Sequence, residues 1–189
     1  KNHNAHILNK IIFQKKDINN NDFFENEKFD FIFLINVAEH VIDYKKLFKN
    51  INDKLNKNGI FIIKVPNEYD LVHTWYIQQN KIPKEALEIF NPLHHLNYFS
   101  KNSLINSVTN NMDVKTIKTY GDFPIEIFML NKETNFYKKK NFGKTAHKIR
   151  VELSNLLYKK KKISDLLNFY EASLNVGVGR SITGVFKKG

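Results

Sequence analysis

Several side chains in this sequence could move a proton near neutral pH. Glu39 and His40 are adjacent, His94 and His95 form a second pair, and Glu126 interrupts the apolar run Phe123-Pro124-Ile125-Glu126-Ile127-Phe128. An imidazole titrates close to neutrality and suits the removal of a proton from a hydroxyl or an amine. The plain alternative for His95 is a structural histidine bonded to a loop carbonyl. Glu39 could equally do no more than favour the positive end of a following helix. A carboxylate between two isoleucines is costly to bury unpaired. Glu126 is therefore expected either in a site or in an ion pair with Arg150 or Arg180.

These residues need elements to position them. Phe29 to Ile35 (FDFIFLI) is almost continuously apolar, the pattern of a strand buried on both faces of a parallel sheet. Asp43 is a plausible N-cap for an amphipathic helix over 43–56, with Tyr44, Leu47, Phe48, Ile51 and Leu55 on one face. Gly59 is expected to stop that helix, and Ile60 to Val65 reads as a second buried strand closed by Pro66-Asn67. Strand, helix and strand in this order make a right-handed parallel crossover.

Ile7 to Asp17 reads as a short strand and 100–110 as a short helix capped by Ser100. Residues 114–120 suit a strand, 131–172 read as helical, and 181–187 as a terminal strand. The chain is thus expected to be one α/β domain over 1–189, helices flanking a mostly parallel sheet. In such sheets ligands sit beyond the carboxyl ends of the strands. Asp17, then Asn36 with Glu39 and His40, then Pro66-Asn67 stand at those ends.

Composition narrows the classes. With no cysteine, a disulfide framework and a Cys-ligated zinc site are excluded. No apolar run approaches the roughly 18 residues of a membrane span, and no signal-peptide pattern opens the chain; the expectation is a cytoplasmic protein. The formal net charge of +11 is carried by lysines spread along the chain, with only two arginines. A solvated lysine surface explains that better than a nucleic-acid reading head, which relies on arginine forks. Gly177-Val178-Gly179 is not a dinucleotide loop, since it precedes a terminal strand rather than linking a strand to a helix.

Phe29 to Asn67 resembles the fourth strand, fourth helix and fifth strand of class I S-adenosylmethionine-dependent methyltransferases. Their Phe-Asp strand, Leu-Glu-His turn and Leu-Lys-Pro-Gly-Gly turn correspond to FDFIFLI, Val37-Ala38-Glu39-His40 and Leu55-Asn56-Lys57-Asn58-Gly59. Asn91 to Val108 (NPLHHLNYFSKNSLINSV) is similar to a Pro-x-His-x-x-Tyr-Phe-Ser element of bacterial members acting on small molecules and surface sugars. Phe123-Pro124-Ile125-Glu126, with Tyr170-Glu171-Ala172 and Gly177 to Thr183 in the tail, extends the likeness.

The resemblance implies a Rossmann-like fold with S-adenosylmethionine as cofactor and methyl transfer to oxygen or nitrogen of a small polar or sugar-type metabolite. It puts Asp17 and Ile18 beside the adenine, and Asn36, Val37 and Glu39 along the methionine portion. His95, Glu126 and His40 become the catalytic candidates, with His95 the expected base. Asn36 stands where metal-binding members carry a further glutamate, so no metal is expected. The first glycine is Gly59, so the glycine turn that cradles the cofactor's amino-acid end is not upstream. The expectation is a domain lacking the family's first strand, helix and second strand. Residues 1–67 would be a partial cofactor half, and 68–189 a substrate half with a helical insertion at 131–172. Residues upstream, or a partner chain, would complete it. Two further readings are an RNA methyltransferase and a non-catalytic scaffold that keeps the fold.

Overall fold

The computed structural model describes residues 12–20, 24, 26–67, 71, 74, 78, 95–108, 112–118, 142–160 and 162–189. Its elements run β1 (Phe29–Ile35), a 3-10 turn (Ala38–His40), α1 (Tyr44–Lys54), β2 (Leu55–Pro66), α2 (Lys101–Val108), β3 (Asp113–Lys118), α3 (Phe142–Lys160), α4 (Ile163–Asn175) and β4 (Ser181–Lys187). Strand order is β1-β2-β4-β3. β1 and β2 are parallel, joined by the predicted crossover through α1. β4 is antiparallel to both β2 and β3, so the sheet is mixed, with one parallel pair among the described strands.

Local chemistry explains the boundaries. Asp43 caps α1 by accepting from the Lys46 N–H at 3.0 Å. The helix ends earlier than expected, because Leu55 already has extended backbone. Lys188 then donates to the carbonyls of Asn52 and Leu55 at the helix end, at 2.7 and 2.9 Å. Residues 55–59 form an irregularity at the start of β2, where the register jumps from Phe29↔Leu55 to Phe31↔Ile60. Asn58 takes a left-handed φ of 63° there. Gly59 is needed for space, since a Cβ would stand 2.9 Å from the Asn56 carbonyl oxygen. It therefore shapes the entry to β2 and does not stop the helix. Ser100 caps α2 as expected: Ser103 N–H donates to its Oγ at 3.1 Å and Ser103 Oγ accepts from the Ser100 N–H at 2.8 Å.

The core lies between the sheet and the helices α1 and α2. Leu34, Phe61, Ile63, Val65, Ile182 and Phe186 from the sheet meet Leu47, Phe48, Ile51 and Leu104 from the helices. β1 departs from the expected pattern. Leu34 is buried and Ile32 half-buried, but Phe31, Phe33 and Ile35 on the opposite face are 60%, 63% and 48% exposed. Only one face of this apolar strand is covered by described residues, and no described strand pairs with its outer edge. A cavity of about 270 Å³ runs along that edge, lined by Ile18, Phe24, Phe31, Phe33 and Leu34 among others.

Residues 12–17 are not a strand, and Ile12 and Phe13 lie exposed. Apolar character alone does not make a strand without a neighbour to pair with. At the other end of the chain, α3 and α4 are the described part of the predicted helical region. Lys118 of β3 is paired with Glu171 of α4 at 2.8 Å. Gly177, at φ 80°, sits in the turn that leads from α4 towards β4.

Candidate functional site

β1 delivers its carboxyl end to a sharp turn. Asn36 adopts a left-handed φ of 52°, a conformation asparagine tolerates better than other non-glycine residues. Its N–H still bonds the Lys64 carbonyl of β2 at 2.9 Å, so the reversal occurs at the last rung of the parallel ladder. Val37 is half-buried against the core, and the chain then winds through the 3-10 turn. Ala38 and Glu39 of that turn are buried while His40 points outward.

The segment 95–99 is laid over this turn by backbone and side-chain bonds. Leu96 and Asn97 N–H both donate to the Glu39 carbonyl, at 2.7 and 3.1 Å. Asn97 Nδ2 donates to the carbonyls of Ala38 at 3.0 Å and Val41 at 2.6 Å. Phe99, buried and edge-on to Tyr44 with ring centroids 5.2 Å apart, anchors the other end of the segment. His95 thereby comes edge-on to His40, with ring centroids 5.0 Å apart.

The result is a cluster of one carboxylate and two imidazoles. Donor atoms of Glu39, His40 and His95 all lie within 4.8 Å of one another. His40 Nε2 stands 3.7 Å from Glu39 Oε1. Glu39 Oε2 is buried with no hydrogen-bond partner among the described residues. Burial pushes the Glu39 carboxyl above its ordinary range, against the opposing pull of its own backbone N–H and of His40. Such a group, at the carboxyl end of a parallel strand, can accept a proton, orient an imidazole or hold a cation.

Asp17 and Ile18 lie in a turn on the same side. Asp17 Oδ1 accepts from both the backbone N–H and the side-chain amide of Asn19, each at 3.0 Å. Asn19 Oδ1 in turn accepts from the Ile42 N–H at 3.1 Å, tethering this turn to the loop that follows the 3-10 turn. Asp17 thus does not end a sheet strand, but its carboxylate is exposed and Ile18 packs on the core beside β1. Seven predicted site residues, Asp17, Ile18, Asn36, Val37, Glu39, His40 and His95, fall on linked segments around the end of β1. Glu126 lies outside the described residues, as do His94, Trp75 and Tyr76.

Asn97 is the residue the sequence does not announce. It sits between His95 and the Tyr98-Phe99 pair, and its two contacts become visible only when the 3-10 turn is under it. Asn67 behaves similarly at the end of β2. It is buried, donating from Nδ2 to the Gly179 carbonyl at 2.6 Å and from N–H to the Arg180 carbonyl at 2.7 Å, which ties β2 to the approach of β4.

Residues 2–111, more than half of the chain, match the family described as a methyltransferase domain. A comparison with curated protein sequences finds no match. Among solved structures, a [4+2]-cyclase superposes with a TM-score of 0.52 at 9% identity, over 98% of this chain and 59% of its own. A SAM-dependent methyltransferase from Thermotoga maritima gives 0.52 at 15% identity, over 98% and 69%. A methyltransferase from Galdieria sulphuraria, named for sarcosine and dimethylglycine, gives 0.53 at 12% identity, over 100% and 63%. At such identities these likenesses establish the fold, and the chain spans 59%, 69% and 63% of the three neighbours' lengths.

Proposed function

Because the chain belongs to the methyltransferase-domain family, we propose that it moves a methyl group from S-adenosylmethionine to oxygen or nitrogen of a small polar or sugar-type molecule. One observation carries the reading. A parallel strand pair brings Asn36, Glu39 and His40 to its carboxyl end, and the 95–99 segment seats His95 on the same turn.

The donor set fits one wall of a nucleoside cleft. Asp17 offers an exposed carboxylate for the adenine amino group, Ile18 an apolar surface, and Asn36 and Val37 a turned backbone for the methionine portion. The glycine turn for the amino-acid end does not precede Gly59 in this sequence. When bound, the cofactor supplies a methyl group on a positively charged sulfur, which needs an aligned nucleophile more than further chemistry. Alignment is the work assigned to the 3-10 turn and the 95–99 segment. His95 accepts the acceptor's proton at an imidazole nitrogen, and His40, beside Glu39, orients the acceptor. Glu126 is proposed as a second acceptor contact.

The open flank of β1 belongs to the same proposal. Phe31, Phe33 and Ile35 form an exposed apolar row, a liability that folded proteins ordinarily cover. We assign that flank to a further strand and helix bearing the glycine turn, supplied by other parts of the polypeptide or by a partner chain. The greater length of the structural neighbours supports this assignment.

Calorimetric titration with S-adenosylhomocysteine tests the reading. One-site heat that weakens in Asp17→Ala is expected. A folded chain showing no heat at millimolar ligand would instead favour a non-catalytic scaffold, the second reading. An RNA acceptor would reveal itself by RNA binding that falls steeply with salt.

A further inference from the structure

We propose that Glu39, His40 and His95 bind a divalent transition-metal ion of the zinc type. Adjacency of Glu39 and His40 offers two donors, and Asn36 replaces the carboxylate that would complete an oxygen-rich site. On the sequence alone that argues against a metal. The fold changes the count, because the 95–99 segment brings a third donor, an imidazole, onto the same turn. One carboxylate with two imidazoles suits zinc and its neighbours and does not suit magnesium or calcium, which favour oxygen cages.

Two observations support an ion rather than a simple hydrogen-bonded cluster. First, Glu39 Oε1 and His40 Nε2 are 3.7 Å apart, too far for a hydrogen bond. Two ligands held about 2.1 Å from a shared tetrahedral ion stand about 3.4 Å apart, so a small closure suffices. Second, the Glu39 side chain is only 2% exposed, and its Oε2 has no partner among the described residues. A buried carboxylate oxygen left without a donor is costly, and a cation beside it removes that cost. The site is also built to hold its shape. The backbone of residues 96–97 and the amide of Asn97 fix the 3-10 turn and the His95 segment to each other, the support that metal ligands require.

Three protein ligands leave a coordination position open. On the methyl-transfer reading, and resting on it, that position faces the acceptor: His95 takes the acceptor's proton in the metal-free protein, whereas in the loaded protein His95 is a ligand and an acceptor bound to the ion, made more acidic by its charge, would release its proton to solvent. Binding of the ion itself does not depend on that reading.

The test uses the full chain stripped with a chelator, with Zn²⁺ followed by calorimetry and Co²⁺ by visible absorption. One ion per chain and the intense absorption of a low-coordinate cobalt site are expected. Glu39→Gln keeps the side chain's shape and removes its charge. It and His95→Ala should each weaken binding by more than the roughly 10–100-fold that loss of a supporting contact costs. His147→Ala, an exposed histidine on α3, should bind as wild type. Circular dichroism confirms that each variant is folded. A folded wild type that takes up no Zn²⁺ or Co²⁺ at micromolar concentration overturns the proposal, as does equal binding by the Glu39→Gln and His95→Ala variants. Since the ion alone is the probe, this outcome is independent of whether S-adenosylhomocysteine binds.

Discussion

Replacing Asn97 by alanine isolates the device that assembles the site. The amide donates two hydrogen bonds, to the carbonyls of Ala38 and Val41 on either side of Glu39 and His40. Each such bond contributes about 0.5–1.5 kcal/mol net, so the pair is worth about 1–3 kcal/mol, towards the upper end if the two carbonyls stay dry. For a chain of this length, a loss of about 2 kcal/mol lowers the melting temperature by about 4–8 °C. The two backbone bonds to the Glu39 carbonyl survive the substitution, so the segment loosens without detaching. Asn97→Asp should be worse than alanine, because it turns two donors into a carboxylate facing two carbonyl oxygens. Thermal and urea unfolding measure the stability, and Zn²⁺ affinity measures the cluster's geometry. An alanine variant within about 0.5 kcal/mol of wild type, the ordinary range for an uninvolved surface change, would refute the reasoning. So would an aspartate variant more stable than the alanine one.

Other substitutions probe the frame. Glu39→Gln should raise the melting temperature of the metal-free protein at neutral pH. The folded carboxyl is pushed above its ordinary range by burial, so wild-type stability falls as pH rises from the ordinary carboxylate range through the raised value. The advantage of glutamine should therefore shrink in acid, as pH-dependent unfolding would show. Asn36→Gly should be nearly neutral and Asn36→Val should cost about 1–2 kcal/mol, because a β-branched residue resists the left-handed φ. Gly184→Ala places a Cβ 2.5 Å from the Phe186 ring and 3.2 Å from Ile117, so it should cost about 1–3 kcal/mol by chemical unfolding.

The parallel crossover was legible because its signals are local and consistent. An N-capping Asp43, the apolar stripe of α1 and two β-rich apolar runs all name the same arrangement. The caps at Asp43 and Ser100 and the strand 181–187 follow from short-range chemistry for the same reason. The covering of β1 was not legible. FDFIFLI announces a strand that prefers burial on both faces, yet the described residues cover only one. Of the strand expected over Ile7 to Asp17, the described residues 12–17 are not extended into a sheet, since pairing is supplied by a neighbour and not by the run itself, and residues 7–11 lie outside the described residues. At the site, the individual donors could be read one by one, but His95 as a neighbour of Glu39 could not. Their meeting is made by Asn97 and two backbone N–H groups reaching across from a distant segment. Asn97 carries no signature of that role in the sequence.

On the proposed reading, the turn after β1 and the Asp17–Ile18 turn would form one wall of a nucleoside cleft. Mapping backbone amide shifts of the isotopically labelled chain during titration with S-adenosylhomocysteine tests it residue by residue, even for weak binding. Shifts concentrated at Asp17, Ile18, Asn36 and Val37, with α3 and α4 unmoved, are the outcome expected. Shifts confined to α3 and α4, or none at millimolar ligand in a chain that gives a folded spectrum, would contradict it.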